Sequence, residues 1–281
     1  MKNLLNIKFS IVLVVATGLL MSSCLKNNKY YVDFGYYEPT LELPLAAAKV
    51  NKPFVAIFDP ADTPTTYYIV LNVASMEKPK TPVTGTIALD VDYLNSYNAE
   101  QAAANPSYKP YELLPDSTYE ISSMTATIQP GQREAWIPVK IWTKKLNLEH
   151  LYCLPITISN ASIKISNWKH LMINVSAKNI WDGRYIYTGI TSLGNTTNEC
   201  CARLTMVGPY SVTMNLINYY SNQVVFTVDP ATNKVEVSMT TLLPIATDPI
   251  SNWDPATETF HVKWTSNNGA RKYEEWYVKK H

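Results

Sequence analysis

Hydrophobic alternation with a period of two, in short runs broken by proline or Asn-Gly, constrains this chain more than any other feature. In Ala135–Trp142 (AWIPVKIW), Ile137, Val139 and Ile141 share one face, while Trp136, Pro138, Lys140 and Trp142 share the other. In Gly85–Leu94 (GTIALDVDYL), Ile87, Leu89, Val91 and Tyr93 oppose Asp90 and Asp92. This is the pattern of strands with one dry and one wet face. Thr118–Gln132 ends in a Pro130-Gly131 turn, and LPITIS, ASIKIS and LMINVSA supply further short strands up to Ala177. With 18 Pro, 19 Tyr and only 9 Gly, the composition favours strands joined by proline-marked turns. Together these segments predict an antiparallel sandwich. One stretch departs from the pattern: its AEQAAA core predicts a short helix, ended by Asn105-Pro106 because proline disfavours helical geometry in the residue before it.

From Lys178 onward a new series begins with NIWDGRYIYTG. It continues through CARLTMV, YSVTMNLI, NQVVFTVD, KVEVSMTTLL, ETFHVKWTS and KYEEWYVKK. Asp229-Pro230, Asp254-Pro255 and Asn267-Asn268-Gly269 mark turns between them. A meander of this kind avoids open edges by curling into a barrel. The expected fold is therefore all-β, a β-sandwich followed by an antiparallel β-barrel.

The N-terminus carries Lys2 and Lys8, then an apolar run from Phe9 to Met21. That run is shorter than the ~20 residues a membrane-spanning helix needs, and its order of basic, apolar and small residues is that of a secretory signal. Met21-Ser22-Ser23-Cys24 resembles a bacterial lipobox, which implies lipidation of Cys24 and attachment to a membrane by acyl chains. Leu25-Lys26-Asn27-Asn28-Lys29 then reads as a tether. The organisation expected is a signal over 1–23, lipidated cysteine and tether over 24–35, sandwich over 36–177 and barrel over 178–281.

Removing the signal takes two of 24 basic side chains and no acid, leaving 22 against 23, a net charge of −1. A near-neutral chain without a basic block has no electrostatic footprint for nucleic acid. Beyond Cys24 lie Cys153, Cys200 and Cys201, an odd number. The adjacent pair either closes a vicinal disulfide or stands as two thiols. Neither C-x₂-C spacing nor a neighbouring histidine marks a metal site, and no cofactor fingerprint occurs.

Three motifs carry a resemblance. Tyr111-Glu112-Leu113-Leu114-Pro115, Ile128-Gln129-Pro130-Gly131 and Tyr152-Cys153-Leu154-Pro155-Ile156-Thr157-Ile158 occur in that order. They resemble the N-terminal domain of unknown function found in many outer-membrane lipoproteins of gut Bacteroidetes. The resemblance implies an immunoglobulin-like sandwich. It also implies an accessory role beside the paired porin and glycan-capturing lipoprotein that import polysaccharides. The segment opening at Asn179-Ile180-Trp181-Asp182-Gly183-Arg184-Tyr185 is similar to lipocalin-like barrels that often follow that domain. Surface-exported lipoproteins of the group carry acidic residues after the cysteine, whereas this tether has none, so cell surface and periplasmic face both stay open. The family has no established catalytic residues to transfer.

Sugar recognition uses the flat apolar face of Trp or Tyr against the C–H face of a pyranose, with amides and carboxylates taking the hydroxyls. Trp253, in the segment DPISNWDPATE with no strand phase, is the leading candidate for an exposed platform. Trp136 and Trp142 share the lysine-bearing face of their strand, where the helical segment or the barrel could cover them, and Trp181 stands at the opening of the barrel. Trp264 and Trp276 are expected in the barrel interior. For hydrolysis, Asp90 and Asp92 are the nearest to a carboxylate pair. Glu274 and Glu275 point to opposite faces, and His150, His170, His261 and His281 lack a catalytic context. A non-catalytic, glycan-binding lipoprotein of the outer membrane is the leading expectation. The alternatives are a structural or adhesive protein that docks a protein partner, and a glycoside hydrolase.

Overall fold

The structure, a computed structural model, describes residues 38–281 apart from 51, 193 and 195, with 196–200 described as backbone only. The expected signal, lipidated Cys24 and most of the tether lie outside the described residues. No helix among the described residues is long and apolar enough to cross a membrane.

Two sheets make the sandwich. The first runs β10 (Lys164–Ile165), β1 (Thr40–Glu42), β3 (Thr65–Ala74), β8 (Glu134–Ile141) and β6 (Tyr119–Ile121). The second runs β2 (Phe54–Phe58), β11 (His170–Ala177), β9 (Tyr152–Ala161), β4 (Val83–Leu89) and β7 (Thr125–Ile128), with β5 (Glu112–Leu113) beside β9. Alternation dictates the core: Ile137, Val139 and Ile141 of β8 and Ile69, Leu71 and Val73 of β3 are buried in one cluster with Ile87, Leu154, Ile156 and Ile158. The layers approach so closely at Gly85 that a Cβ there would stand 2.5 Å from Leu41 Cδ2 and 3.0 Å from Leu71 Cδ1.

Alternation misleads after Leu89. Val91 and Tyr93 do not extend β4; they open a helix. Helix α1 (Pro44–Lys49) is short, and α2 (Val91–Ala104) is far longer than the AEQAAA core predicted. Asp90 caps α2, its carboxylate accepting from the Tyr93 N–H at 3.1 Å, which satisfies one of the orphan donors of the first turn. The helix buries Leu94 beside Cys153 and Met172 of the second sheet. Asn98 then pins the following segment, donating to the Tyr111 carbonyl at 2.8 Å and accepting from Tyr108 Oη at 2.8 Å. Cys153 is a free thiol, and burial pushes its pKa up to about 12.

The barrel comprises β12 (Gly183–Thr191), β13 (Thr196–Gly208), β14 (Ser211–Leu216), β15 (Tyr220–Val228), β16 (Val235–Met239), β17 (Ala246–Thr247), β18 (Asn252–Asp254), β19 (Thr259–Ser266) and β20 (Arg271–Lys280). Its order is β16-β15-β14-β13-β12-β20-β19-β17, with β18 on β19. β12 joins β20 in continuous register from Arg184 opposite Lys280 to Thr191 opposite Tyr273. The remaining seam is drawn together where Val237 N–H donates to Thr247 Oγ1 at 2.9 Å and Val235 N–H to the Ser251 carbonyl at 3.1 Å. The all-β reading, sandwich then barrel, is thus the fold of the chain. Cys201 is disulfide-bonded. Cys153 is not its partner.

The NIWDGRY opening closes one end of the barrel. The Asn179 side chain donates to the carbonyls of Gly208 (2.9 Å) and Ser211 (3.1 Å) and accepts from the Trp181 and Asp182 N–H groups. Asp182, almost fully buried, pairs with Arg203 and accepts from the Met206 N–H at 2.8 Å. Trp181 is buried at that end, and its carbonyl accepts from Tyr185 Oη at 2.8 Å.

Candidate functional site

Strand β8 presents its polar face outward, and that face carries the most exposed tryptophan among the described residues. Trp136 is 60% exposed and Tyr68, from the neighbouring β3, is 47% exposed. Their ring centroids lie 5.7 Å apart at an interplanar angle of 53°. Register explains the pairing: Trp136 stands opposite Val70 and Pro138 opposite Tyr68, so the two aromatic rings are diagonal neighbours on one face. The helix does not cover this face, because α2 packs on the second sheet.

Polar groups flank the rings along the same face. Trp136 Nε1–H donates to Glu134 Oε2 at 3.2 Å. Asn72, opposite Glu134, donates to Glu42 Oε1 at 3.1 Å. Beyond Pro138, Lys140 pairs with Glu120 at 3.2 Å. The Ser122 hydroxyl and Lys140 together hold the Glu120 carboxyl below its ordinary range. The arrangement is a shallow aromatic strip with carboxylate, amide and ammonium groups near its ends. Chemically it offers apolar ring faces for C–H surfaces and charged or polar partners for hydroxyls.

The other expected platforms differ. Trp142 is only half-buried at the end of β8, and Lys145 Nζ sits 5.0 Å from its ring centroid. Trp181 is a plug, 5% exposed. Trp253 corrects the expectation outright: it lies in β18, 2% exposed, with its ring 4.6 Å from Phe260 and 6.5 Å from Tyr185. Its segment is a strand because Asn252 to Asp254 pair with His261 to Thr259, and its own N–H donates to the Asn233 carbonyl at 2.9 Å.

Trp264 is interior as expected, but Trp276 is not. Trp276 lies on the outer wall, stacked on His261 at 4.9 Å and 6°. The inward positions of β20 are Tyr273, Glu275 and Tyr277, all within 1% of full burial. A buried carboxyl persists there because three donors surround it. Tyr187 Oη and Tyr277 Oη donate to Oε1 at 2.8 and 3.0 Å, and Trp264 Nε1–H donates to Oε2 at 2.8 Å. Burial nonetheless holds the Glu275 carboxyl above its ordinary range. Glu274 faces the other way, as expected, within reach of His261 (3.1 Å) and Lys263 (3.4 Å).

The carboxylates considered for hydrolysis are also placed differently. Asp90 is a helix cap whose Oδ2 lies 2.7 Å from His170 Nδ1, and Asp92 belongs to the first turn of α2, so they are not a pair on one strand face. Among the described residues no cluster of three or more His, Cys, Asp or Glu is arranged to hold a metal ion. Among the described residues, buried side chains from Trp181 to Tyr277 pack the barrel interior into one cluster. A cleft of about 650 Å³ remains at its rim, lined by Ile190, Thr191, Thr247, Lys263, Trp264 and Tyr273 among others.

Sequence reasoning missed one exposed aromatic pair, Tyr219 (79% exposed) and Tyr220 (43%), at the turn between β14 and β15. The available signal was the run Asn218-Tyr219-Tyr220-Ser221-Asn222, whose amides mark a turn and whose tyrosines therefore stand at its tip.

Several solved structures from Bacteroides are similar to the chain. A protein of unknown function from Bacteroides ovatus is 13% identical, with 86% of this chain and 93% of that chain covered and a TM-score of 0.46. A multidomain protein including DUF1735, also from Bacteroides ovatus, is 12% identical over the same shares, with a TM-score of 0.46. An auxiliary nutrient binding protein from Bacteroides thetaiotaomicron is 13% identical, covering 89% of this chain and 93% of that one, with a TM-score of 0.42. No curated protein sequence matches the chain. Residues 27–165 match the family model of an N-terminal domain, and residues 183–281 match the domain of unknown function DUF7015.

Proposed function

We propose that this chain is a non-catalytic, carbohydrate-binding lipoprotein, anchored to the outer membrane through Cys24 and serving polysaccharide capture. The observation that carries the reading is the Trp136–Tyr68 strip, an exposed aromatic surface flanked by Glu134 and the Lys140–Glu120 pair. Two large rings left about half in water on the outer face of a packed sheet suit stacking on sugar rings. The lipobox and the tether support the anchored location, and the three-motif resemblance supports a place beside a glycan-import porin and its partner lipoprotein.

The test is affinity electrophoresis and calorimetry of the full chain in mild detergent against plant, host and microbial polysaccharides. Binding that Trp136→Ala weakens about tenfold, or ~1.4 kcal/mol, supports the reading. Silence across the panel from well-folded protein removes it. Labelling with a radioactive fatty acid, lost in Cys24→Ala, tests the anchor.

A second reading, an envelope protein that docks a protein partner, draws on the barrel's outer wall. There Ile186, Ile190 and Val278 are 40%, 54% and 41% exposed in neighbouring strands. Site-specific cross-linking from Ile190 in intact cells would trap such a partner, and a clean lane would dismiss it.

A further inference from the structure

From Leu204 through Val228 the chain has no Asp, Glu, Lys or Arg. That is 25 consecutive residues, where a charged fraction of 17% would place about four. The stretch folds into the end of β13 and the β14–β15 hairpin. Its inward positions Val212, Met214, Leu216, Val224, Phe226 and Val228 are buried, so the missing charges are missing from the outward face. That face instead shows Ser211, Thr213, Asn215, Gln223 and Thr227 around a half-buried Val225. Gln223 Nε2 donates to Asn215 Oδ1 at 2.6 Å, and Asn222 Nδ2 donates to Thr241 Oγ1 at 2.9 Å.

At the tip, Ile217 and Asn218 both adopt positive φ, +48° and +55°, and the Tyr219 N–H closes the turn on the Leu216 carbonyl at 3.1 Å. A β-branched residue is rarely found in that conformation. Ile217 holds it with its side chain buried in the barrel core. The strained turn lifts the next two residues away from the core. Tyr219 and Tyr220 meet at 5.1 Å and 86°, forming an aromatic corner with one wide-open ring.

We propose that this hairpin tip is a second glycan-binding site, specific for uncharged sugars. The inference rests on the glycan-binding reading above and adds a site and a substrate class to it. The Tyr219 ring offers a flat apolar face to a pyranose. Asn215, Asn222 and Gln223 supply both donors and acceptors for hydroxyls, as amides do for neutral polyols. A ligand bearing carboxylate, sulfate or phosphate would require cationic partners to replace its water, and this face has none from Leu204 to Val228. The same lack excludes nucleic acid and anionic lipid, which are held by Lys and Arg.

The experiment uses the full chain in mild detergent against β-glucan, mannan, xylan and starch, with polygalacturonate as the acidic probe. It compares wild type, Trp136→Ala, Tyr219→Ala/Tyr220→Ala, and Asn215→Asp/Gln223→Glu, which keeps shape but adds charge. The result expected is binding to a neutral polysaccharide that each barrel variant weakens at least fivefold, with melting temperature unchanged. Neutral binding lost in Trp136→Ala but untouched in both barrel variants overturns the second site and leaves the first standing. Preference for polygalacturonate overturns the neutral class. Binding to none of the five removes the glycan reading itself, and the second site with it.

Discussion

The sandwich and the barrel use aromatic residues in opposite ways. Of the 23 buried residues in the sandwich cluster only Tyr152 is aromatic, whereas nine of the 21 in the barrel cluster are, from Trp181 to Tyr277. Two facing sheets stand only ~10 Å apart, a gap that Leu, Ile and Val from both sides fill. A closed barrel has an axis to occupy, and large rings reach it. On the sandwich, Trp136 and Tyr68 stand on the outer face of the first sheet, open to a ligand, while Phe54, Phe58, Tyr67 and Tyr119 only border the core. In the barrel most large rings are drawn inward as packing, with Trp276, Tyr219 and Tyr220 left outside. In the barrel core aromatic richness reflects filling, and the rings open to a ligand are those left outside it, at the β14–β15 tip as on β8.

The sharpest way to break that contrast is Trp253→Ala. It should cost the barrel ~3–5 kcal/mol, the range for emptying a large aromatic site, read by denaturant unfolding followed through the remaining tryptophans. A variant as stable as wild type would mean that the barrel is not packed around that ring.

Next in size is Glu275. Its folded-state carboxyl is raised above the ordinary 4.5 by burial, so its contribution to stability is full below about pH 4.5 and is lost as the pH rises through the raised folded value. Glu275→Gln cannot ionise, and its amide can still meet the Trp264 N–H and the tyrosine hydroxyls. Melting curves from acid to mildly alkaline pH should show wild type losing stability relative to the variant. Parallel curves would place the carboxyl in contact with solvent.

Gly85→Ala probes the narrowness of the sandwich. The added methyl meets the ends of Leu41 and Leu71, and overpacking of this kind costs ~1–3 kcal/mol. A neutral result would show that those leucines have room to swing aside. The smallest effect on stability belongs to Trp136→Ala, within ~0.5 kcal/mol as for a surface position, even as binding falls. A larger loss of stability would move Trp136 from ligand platform to structural support.

How much of this was legible in the sequence depends on the residue. Strand phase placed Ile137, Val139 and Ile141 inside and Trp136 outside, because β8 has one wet face and one dry. It failed at Trp253, yet the signal was present. Asp-Pro-Ala-Thr occurs twice, at Asp229–Thr232 and Asp254–Thr257. In both copies the Asp accepts from the Ala N–H and the Thr hydroxyl, at 2.9 and 2.7 Å in the first and 2.9 and 2.8 Å in the second. The residue before the first copy is Val228, the buried end of β15, and the residue before the second is Trp253, buried in β18, which ends one position later at Asp254. Alternation also failed beyond Leu89, where Asp90 turned the chain into α2, because a cap and a strand-face aspartate look alike in one dimension. It failed again at Trp276, expected inside, because the inward positions of β20 are Tyr273, Glu275 and Tyr277.

Local periodicity and turn chemistry mark most of this chain's strands, the residues that point inward along them, and the turns that interrupt them. These follow from interactions within a few residues of each other. Tertiary structure decided the placements that strand phase missed, Trp253 inside and Trp276 outside. Glu275 is inside only because Tyr187, some 88 positions earlier, and Trp264 and Tyr277 converge on it. The Trp136–Tyr68 strip exists only because β3 and β8, far apart in sequence, pair in one register. Burial is a property of neighbours brought from a distance, and no window of adjacent residues contains them.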